Sequence, residues 1–368
     1  MASVSPSKVF EKWNQAFRAQ DLFAFNGNAE ALLWLKVRAV CRARLLKQFL
    51  VSSGIALTAS RLSEQNVELF EYLRRLPNAM ELLDRHLRVE SHNWYQTLGV
   101  DESQLKEDLY KVQHYSWGGD QNNSLDKHLV SRYVKVISKY DELQHRRNEI
   151  AENAWNYVQN SWYNNWTSYL IEALFKRHPR VVSAIGEIKN VDFFIDDYAI
   201  DLKVTFLPHE FLDAKLKETF GCNELSWLKK AARERQLHFD RALSEAQLKY
   251  VLMEKLMEAG HSAVIEEMHR RRREILLAAR NTPMELMEWL YANQGEMRFG
   301  AENRLFIILV NSKDMAQSWK MKRAFQVMEP KIKQYLDDFN PQSLQTVHFT
   351  FKGKSYRSLA DAIFVIQE

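Results

Sequence analysis

Between Val191 and Phe206 the chain reads VDFFIDDYAIDLKVTF, and here acids and a lysine fall at spacings able to do chemistry. Side chains alternate faces along a strand, so Ile200, Leu202 and Val204 point one way and Asp201, Lys203 and Thr205 the other. Asp196-Asp197, between two apolar runs, suits a two-residue hairpin turn, although Asp-Gly would be the stronger signal. With those two residues as the loop, Ile195 pairs with Tyr198 and Phe193 with Ile200. Asp192 then stands opposite Asp201, Cβ atoms about 5 Å apart. Like charges directly opposed on a sheet repel. A divalent cation shared by the two carboxylates, with Lys203 beside them, removes that repulsion. Such a group can neutralise charge on a phosphodiester and activate a water to attack it. Lys203, near two acids and a phosphate, would keep its proton more readily than an isolated buried lysine, which favours orienting water and holding charge over acting as a free base.

An acid-x-Lys triplet is common. It occurs at Glu187–Lys189, Asp201–Lys203, Asp213–Lys215 and Glu329–Lys331. Only the second lies in a well-patterned strand with another acid opposite on the preceding strand. The competing reading is a surface hairpin carrying an ion pair, and the apolar density of these strands argues against it, as in a sheet buried on both sides. Two further acids are candidates to join: Glu172, in the preceding helix, and Glu187, on the first strand.

The positioning elements follow from periodicity. Trp155, Trp162, Trp166, Tyr169 and Ala173 predict a helix from about Trp155 to Arg177 with that stripe as its core face, stopped by His178-Pro179. Three β-like runs follow: VVSAIGEI, VDFFI and YAIDLKVTFL. Residues 211–300 return to long helices, broken near Gly221, Gly260 and Pro283. RLFIILVN (304–311) has the pattern of a strand buried on both faces; a helix from about Asp314 to Asp338 and a strand through Val347, Phe349 and Phe351 complete the order. Residues 1–150 read helical nearly throughout. The expected organisation is an α-helical N-terminal domain over 1–150, for DNA grip or dimerisation, and an α/β domain over 151–368 with a helical insertion at about 211–300.

On these residues the segment resembles the PD-(D/E)xK nuclease superfamily. The resemblance covers 155–207 well and 304–351 loosely; Val191 stands where the family has proline, and neither 1–150 nor the insertion takes part. It implies a restriction-endonuclease-like core, a central mixed β-sheet flanked by helices. Asp192 and Asp201 would ligate Mg²⁺, with Mn²⁺ able to substitute, and the Leu202 carbonyl would complete the shell. Lys203 would orient or deprotonate the attacking water, and Glu172 or Glu187 would touch the metal directly or through water. The implied activity is that of a Mg²⁺-dependent DNA endonuclease of restriction or phage-defence type. Cutting both strands needs two sites, so a homodimer is the economical expectation. The alternatives are a repair or recombination nuclease working with a partner ATPase, and a non-catalytic helical nucleic-acid-binding or assembly protein.

Composition bounds these readings. Across 368 residues, 46% hydrophobic and 27% charged content is ordinary for a globular chain and excludes a disordered or collagen-like one. Only 7 Pro and 11 Gly punctuate it, as long helices require. Two isolated cysteines, Cys41 and Cys222, argue for a reducing compartment and against a cysteine metal site. No membrane-length apolar run occurs and MASVSPSKVFEKW lacks a signal-peptide core, so a cytoplasmic location is expected. Net charge is only +4, yet residues 151–210 hold eight acids against five Lys and Arg, an acidic island in a basic chain. Arg270, Arg271 and Arg273, within His269–Arg273, and Arg42, beside Lys36, Arg38 and Arg44, are the candidate DNA contacts. Consecutive arginines on a helix diverge, so they cannot all meet one phosphate strand. No histidine spacing suggests zinc, and no Gly-rich phosphate loop suggests nucleotide hydrolysis.

Overall fold

RLFIILVN does become the central strand, buried from Arg304 to Val310. Leu305, Ile307 and Leu309 enter one hydrophobic cluster and Phe306, Ile308 and Val310 another, so the strand is sandwiched between two helical layers. The computed structural model describes residues 6–119, 124–185, 188, 191–240, 242–293, 302–351 and 353–367. Its six-stranded mixed sheet has the order β1-β2-β3-β4-β6-β5. The strands are β1 Val181–Ser183, β2 Phe193–Ile195, β3 Tyr198–Phe206, β4 Arg304–Asn311, β5 Gln345–Phe351 and β6 Lys354–Gln367. β1, β2 and β3 are antiparallel neighbours, β4 runs parallel to both β3 and β6, and β5 closes a hairpin with β6. With helices on both faces, the fold is α/β.

The helices preceding the sheet are α1 Lys8–Arg18, α2 Ala29–Val40, α3 Ala43–Ser53, α4 Leu62–Leu73, α5 Ala79–Leu98, α6 Glu102–Leu109, α7 Leu125–Leu129, α8 Tyr140–His145 and α9 Arg147–Lys176. Helix α2 is apolar nearly all round and is buried accordingly. It shares one core with β1, β2 and the start of β3, where Val182, Phe194 and Ala199 join Leu35, Phe70 and Leu83. Lys36, in that core, is neutralised by Asp84 at 2.5 Å and lies over the Phe194 ring. Between β3 and β4, a parallel pair that needs a crossover, lie α10 His209–Phe220, α11 Glu224–Glu234, α12 Glu245–Glu258, α13 Ser262–Asn281 and α14 Met284–Asn293. Helices α11 and α12 with the first half of α13 bury a small core of their own, while the end of α13 and α14 cover the sheet.

Three expectations about these elements are corrected. Of the expected stripe only Ala173 is buried, so its tryptophans are not the core face of α9. Tyr163, Thr167, Leu170, Ile171 and Phe175 are buried against the sheet, Trp162 and Trp166 lie at the margin, and Trp155 is 63% exposed. Smaller side chains let the helix approach the strands, as where Phe175 stacks on Phe193 at 5.1 Å, and the indoles fill the edges. Among the described residues of VVSAIGEI, only Val181–Ser183 form a strand. The helix expected from 314 to 338 is two pieces, a 3₁₀ stretch Met315–Arg323 and α15 Phe325–Asp337, because Ala324 leaves helical geometry at ψ 60°.

Asn303, just before β4, fastens this frame. Its buried amide donates to Ala199 O at 3.0 Å and to Asn26 Oδ1, whose own amide returns a bond, and its Oδ1 accepts from Leu359 N at 3.3 Å. Asn303→Leu, leaving these groups unsatisfied, should lower unfolding stability by about 2–4 kcal/mol, read from the urea midpoint. A shift under about 0.5 kcal/mol, the surface-substitution range, would contradict the fastening role.

Candidate active site

The hairpin forms in the register expected from sequence, with Ile195 opposite Tyr198 and Phe193 opposite Ile200. Asp196 takes the left-handed conformation of the turn, φ 49°, which aspartate tolerates better than most residues. Its carboxylate is gripped by Arg180 through both oxygens, at 2.5 and 3.2 Å. That pair compensates for the missing glycine. Upstream of β2, the Asp192 amide donates to Ile200 O at 2.9 Å and the Asp192 carboxylate accepts from Leu202 N at 2.8 Å. The acid thus replaces a main-chain partner and is drawn inward over β3.

Asp201 is buried. Its Oδ1 lies 2.9 Å from Lys203 Nζ and its Oδ2 3.2 Å from Arg304 Nε. Arg304 stands beside Asp201 in the parallel β3–β4 register, reaches Glu302 at 3.4 Å and sits over the Tyr291 ring at 4.6 Å. The side chains of Asp201 and Lys203 share the face opposite Ile200 and Leu202, which are buried against α9. Burial first, then the charge of Asp201, then that of Glu172 push the Asp192 carboxyl up to about 6, against the pull of the Leu202 N–H and Lys203. Three of the singled-out side chains, Asp201, Lys203 and Glu172, are therefore within electrostatic reach of Asp192. Glu172 is also bound by Lys176 at 2.8 Å. Lys176 lines a cleft of about 550 Å³ between α5, α9 and β1, with Tyr95, Tyr169 and Ser183 among its walls. Burial and then the Glu172 charge push the Tyr95 hydroxyl up, so this acid is within electrostatic reach of both Tyr95, on the cleft wall, and Asp192.

Glu187, and Lys189 of the same triplet, lie outside the described residues. Arg270 is engaged by Glu267 and Glu274, and Arg271 by Glu267 and the face of Trp227 at 3.9 Å. Arg273 is exposed on α13, and Arg42 is exposed at the start of α3 in the N-terminal layer. The arginines diverge as the helix demands. Sequence reasoning passed over Arg304, whose signal was a lone cation heading an otherwise apolar octet. It also passed over Lys322, bonded to Asn164 Oδ1 at 2.7 Å and pushed down to about 8 by burial.

Asp192, Asp201 and Glu172 offer only oxygen ligands, the chemistry of a hard cation site, while Lys203 and Arg304 already stand against Asp201. One oxygen each from Asp192, Asp201 and Glu172 does not fall within a common 4.8 Å; among the described residues only His209, Asp213 and Glu224 bring three such atoms that close. That second group is already neutralised, since Lys249 lies 2.5 Å from His209 Nε2 and 3.1 Å from Glu224, and Arg272 also binds Glu224. It reads as an ion-pair knot joining α10, α11, α12 and α13. No family model matches the chain, and searches of curated proteins and of solved structures return no significant match.

The Asp192 shift fixes a sign. A raised carboxyl binds its proton more tightly in the folded chain than in the unfolded one, so stability falls as pH rises from 3.8 to about 6. Above that window the penalty is about 3 kcal/mol, at roughly 1.4 kcal/mol per pH unit. In EDTA, Asp192→Asn should melt above the wild type at pH 8 and with it at pH 4. Added Mg²⁺ should raise the wild type alone. Parallel melting curves at both pH values would contradict the assigned environment.

Proposed function

We propose that the chain is a Mg²⁺-dependent phosphodiesterase cutting DNA, built on a restriction-endonuclease-like core. The observation that carries this reading is the closeness of half-buried Asp192 to buried Asp201 on one hairpin, with Lys203 Nζ 2.9 Å from Asp201. Supporting it, α9, the three antiparallel strands, the helical crossover and the parallel β4 follow in the order of the family that the hairpin resembles. The fit to a cation rests on Asp192, a carboxylate held at about 6 by burial and two acidic neighbours. Such surplus negative charge is what a divalent ion relieves.

Asp192, Asp201 and the Leu202 carbonyl would hold Mg²⁺, whose chemistry is to neutralise phosphate charge and lower the pKa of bound water. Lys203, one-third exposed at its side chain, holds a positive charge at the edge of the pair, where it orients water and steadies charge growing on the phosphate. Arg304 fixes the Asp201 rotamer from the buried side. Glu172, on exchanging its partner Lys176 for water, would add a second acceptor near Asp192.

A structural reading competes on one observation: Lys203 and Arg304 already place two cations against Asp201. The two readings part at Lys203→Ala. The enzyme reading expects cleavage of plasmid DNA with Mg²⁺ or Mn²⁺ and none in EDTA. It expects Lys203→Ala to lose roughly 100- to 1000-fold in rate with DNA affinity and melting temperature little changed. Lys189→Ala should cut normally. Cleavage in excess EDTA, or a Lys203→Ala variant as fast as the wild type, would overturn it.

A further inference from the structure

At the opposite end of β4 from Asp201, a recess of about 620 Å³ lies between α13, the turn after β4, α15 and the end of β6. Four cations border it: Arg273, Arg280, Lys313 and Lys331. Among the described residues none of the four makes an ion pair, whereas Arg270, Arg271 and Arg272, their neighbours on α13, are all engaged by Glu267, Glu274 or Glu224. Glu266 is the one acid on the rim. The wall is apolar, formed by Leu276, Leu277 and Phe364, with Leu277 50% exposed.

Four unneutralised cations gathered round one recess repel each other unless an anion joins them. Exposed single cations are unremarkable; the contrast along one helix, paired arginines on one side and unpaired ones turned into a recess, is the informative feature. A cationic rim matches the phosphates of a nucleic-acid backbone, and the apolar wall beneath lets the long arginine and lysine stems pack while their heads stay at the rim. We infer that this recess is a second nucleic-acid contact, holding the phosphates of a DNA strand away from the acids. This rests on the DNA reading above and extends it. Ser312, at the recess, lies eight residues beyond Arg304, about 26 Å at 3.3 Å per residue. A duplex rising about 3.4 Å per step spans that distance in roughly seven or eight base pairs. DNA longer than this engages both places, and shorter DNA only one.

The test is binding in EDTA, where cleavage plays no part, measured by fluorescence anisotropy from about 50 to 200 mM salt. The full chain is compared with Arg273→Ala/Lys313→Ala and with Arg270→Ala, all checked for unchanged melting temperature. On a duplex of about 24 base pairs, the double variant should bind roughly tenfold more weakly. Its log-log salt slope should be shallower by about 2, near 0.9 per lost phosphate contact. Arg270→Ala should match the wild type. On a duplex of about 6 base pairs the double variant should lose much less, because one end is out of reach. An unchanged slope on the long duplex overturns the inference, as does tight ATP binding abolished by the double variant while duplex binding is untouched. The two readings fail separately. Loss of slope without divalent-dependent cleavage leaves the recess standing and removes the enzyme; cleavage with an unaltered slope does the reverse. A wild type that binds no DNA overturns both.

Discussion

A buried carboxylate held between two cations, Lys203 on its own strand and Arg304 on the next, sets the geometry of the site. An isolated charge at the burial of Asp201 would be strongly unfavourable, so its partners must come with it. Arg304 occupies the first position of β4, and the register Asp201↔Arg304 is the first step of the parallel pairing that runs on to Phe206↔Leu309. A one-residue slip would reverse every side chain of β4 and carry Arg304 to the other face. The ion pair and the apolar alternation of β4 therefore specify the same register. Asn303 adds a third fastening by bonding both neighbouring strands.

The same arrangement explains why the acids do not simply repel the hairpin apart. Asp201 is compensated from its own strand and from β4. Asp192 is not compensated to the same degree: it has one main-chain N–H, lies in the field of Asp201 and Glu172, and takes its proton far above the ordinary carboxylate range. A fold seeking stability alone would gain by replacing such a group. A site built to receive a cation has reason to retain it. The knot at Glu224 is the instructive contrast, because there Lys249 and Arg272 already supply the positive charge that a metal would bring.

Much of this was legible from residue order. Period-two alternation and a two-residue loop between Ile195 and Tyr198 led to the correct pairing, and an apolar octet to the central strand, because both patterns are set by burial that any solution must satisfy. Other features were hidden. Helix α9 turns smaller residues to the sheet and leaves its tryptophans at the margin, since close approach outweighs ring size. Strand β6 carries Arg357, Ser358 and Asp361 among its apolar residues and gives no clean alternation, although Ser358 is buried and bonded to Tyr291. Arg304 escaped notice because its importance comes from a neighbour 103 residues away. Which arginines of the α13 run are spoken for depended on acids from the same and other helices, a matter of tertiary placement that spacing does not encode.

The central claim is that the facing acids on the β2–β3 hairpin form a cation site. Titrating the metal-free chain with Mn²⁺ and following free ion by electron paramagnetic resonance addresses it without any substrate. The account predicts one Mn²⁺ bound per chain, displaced by Mg²⁺, with affinity reduced at least about tenfold in Asp192→Asn, a loss of roughly 1.4 kcal/mol. An Asp192→Asn variant that binds Mn²⁺ as the wild type does, or a wild type that binds none, would contradict it.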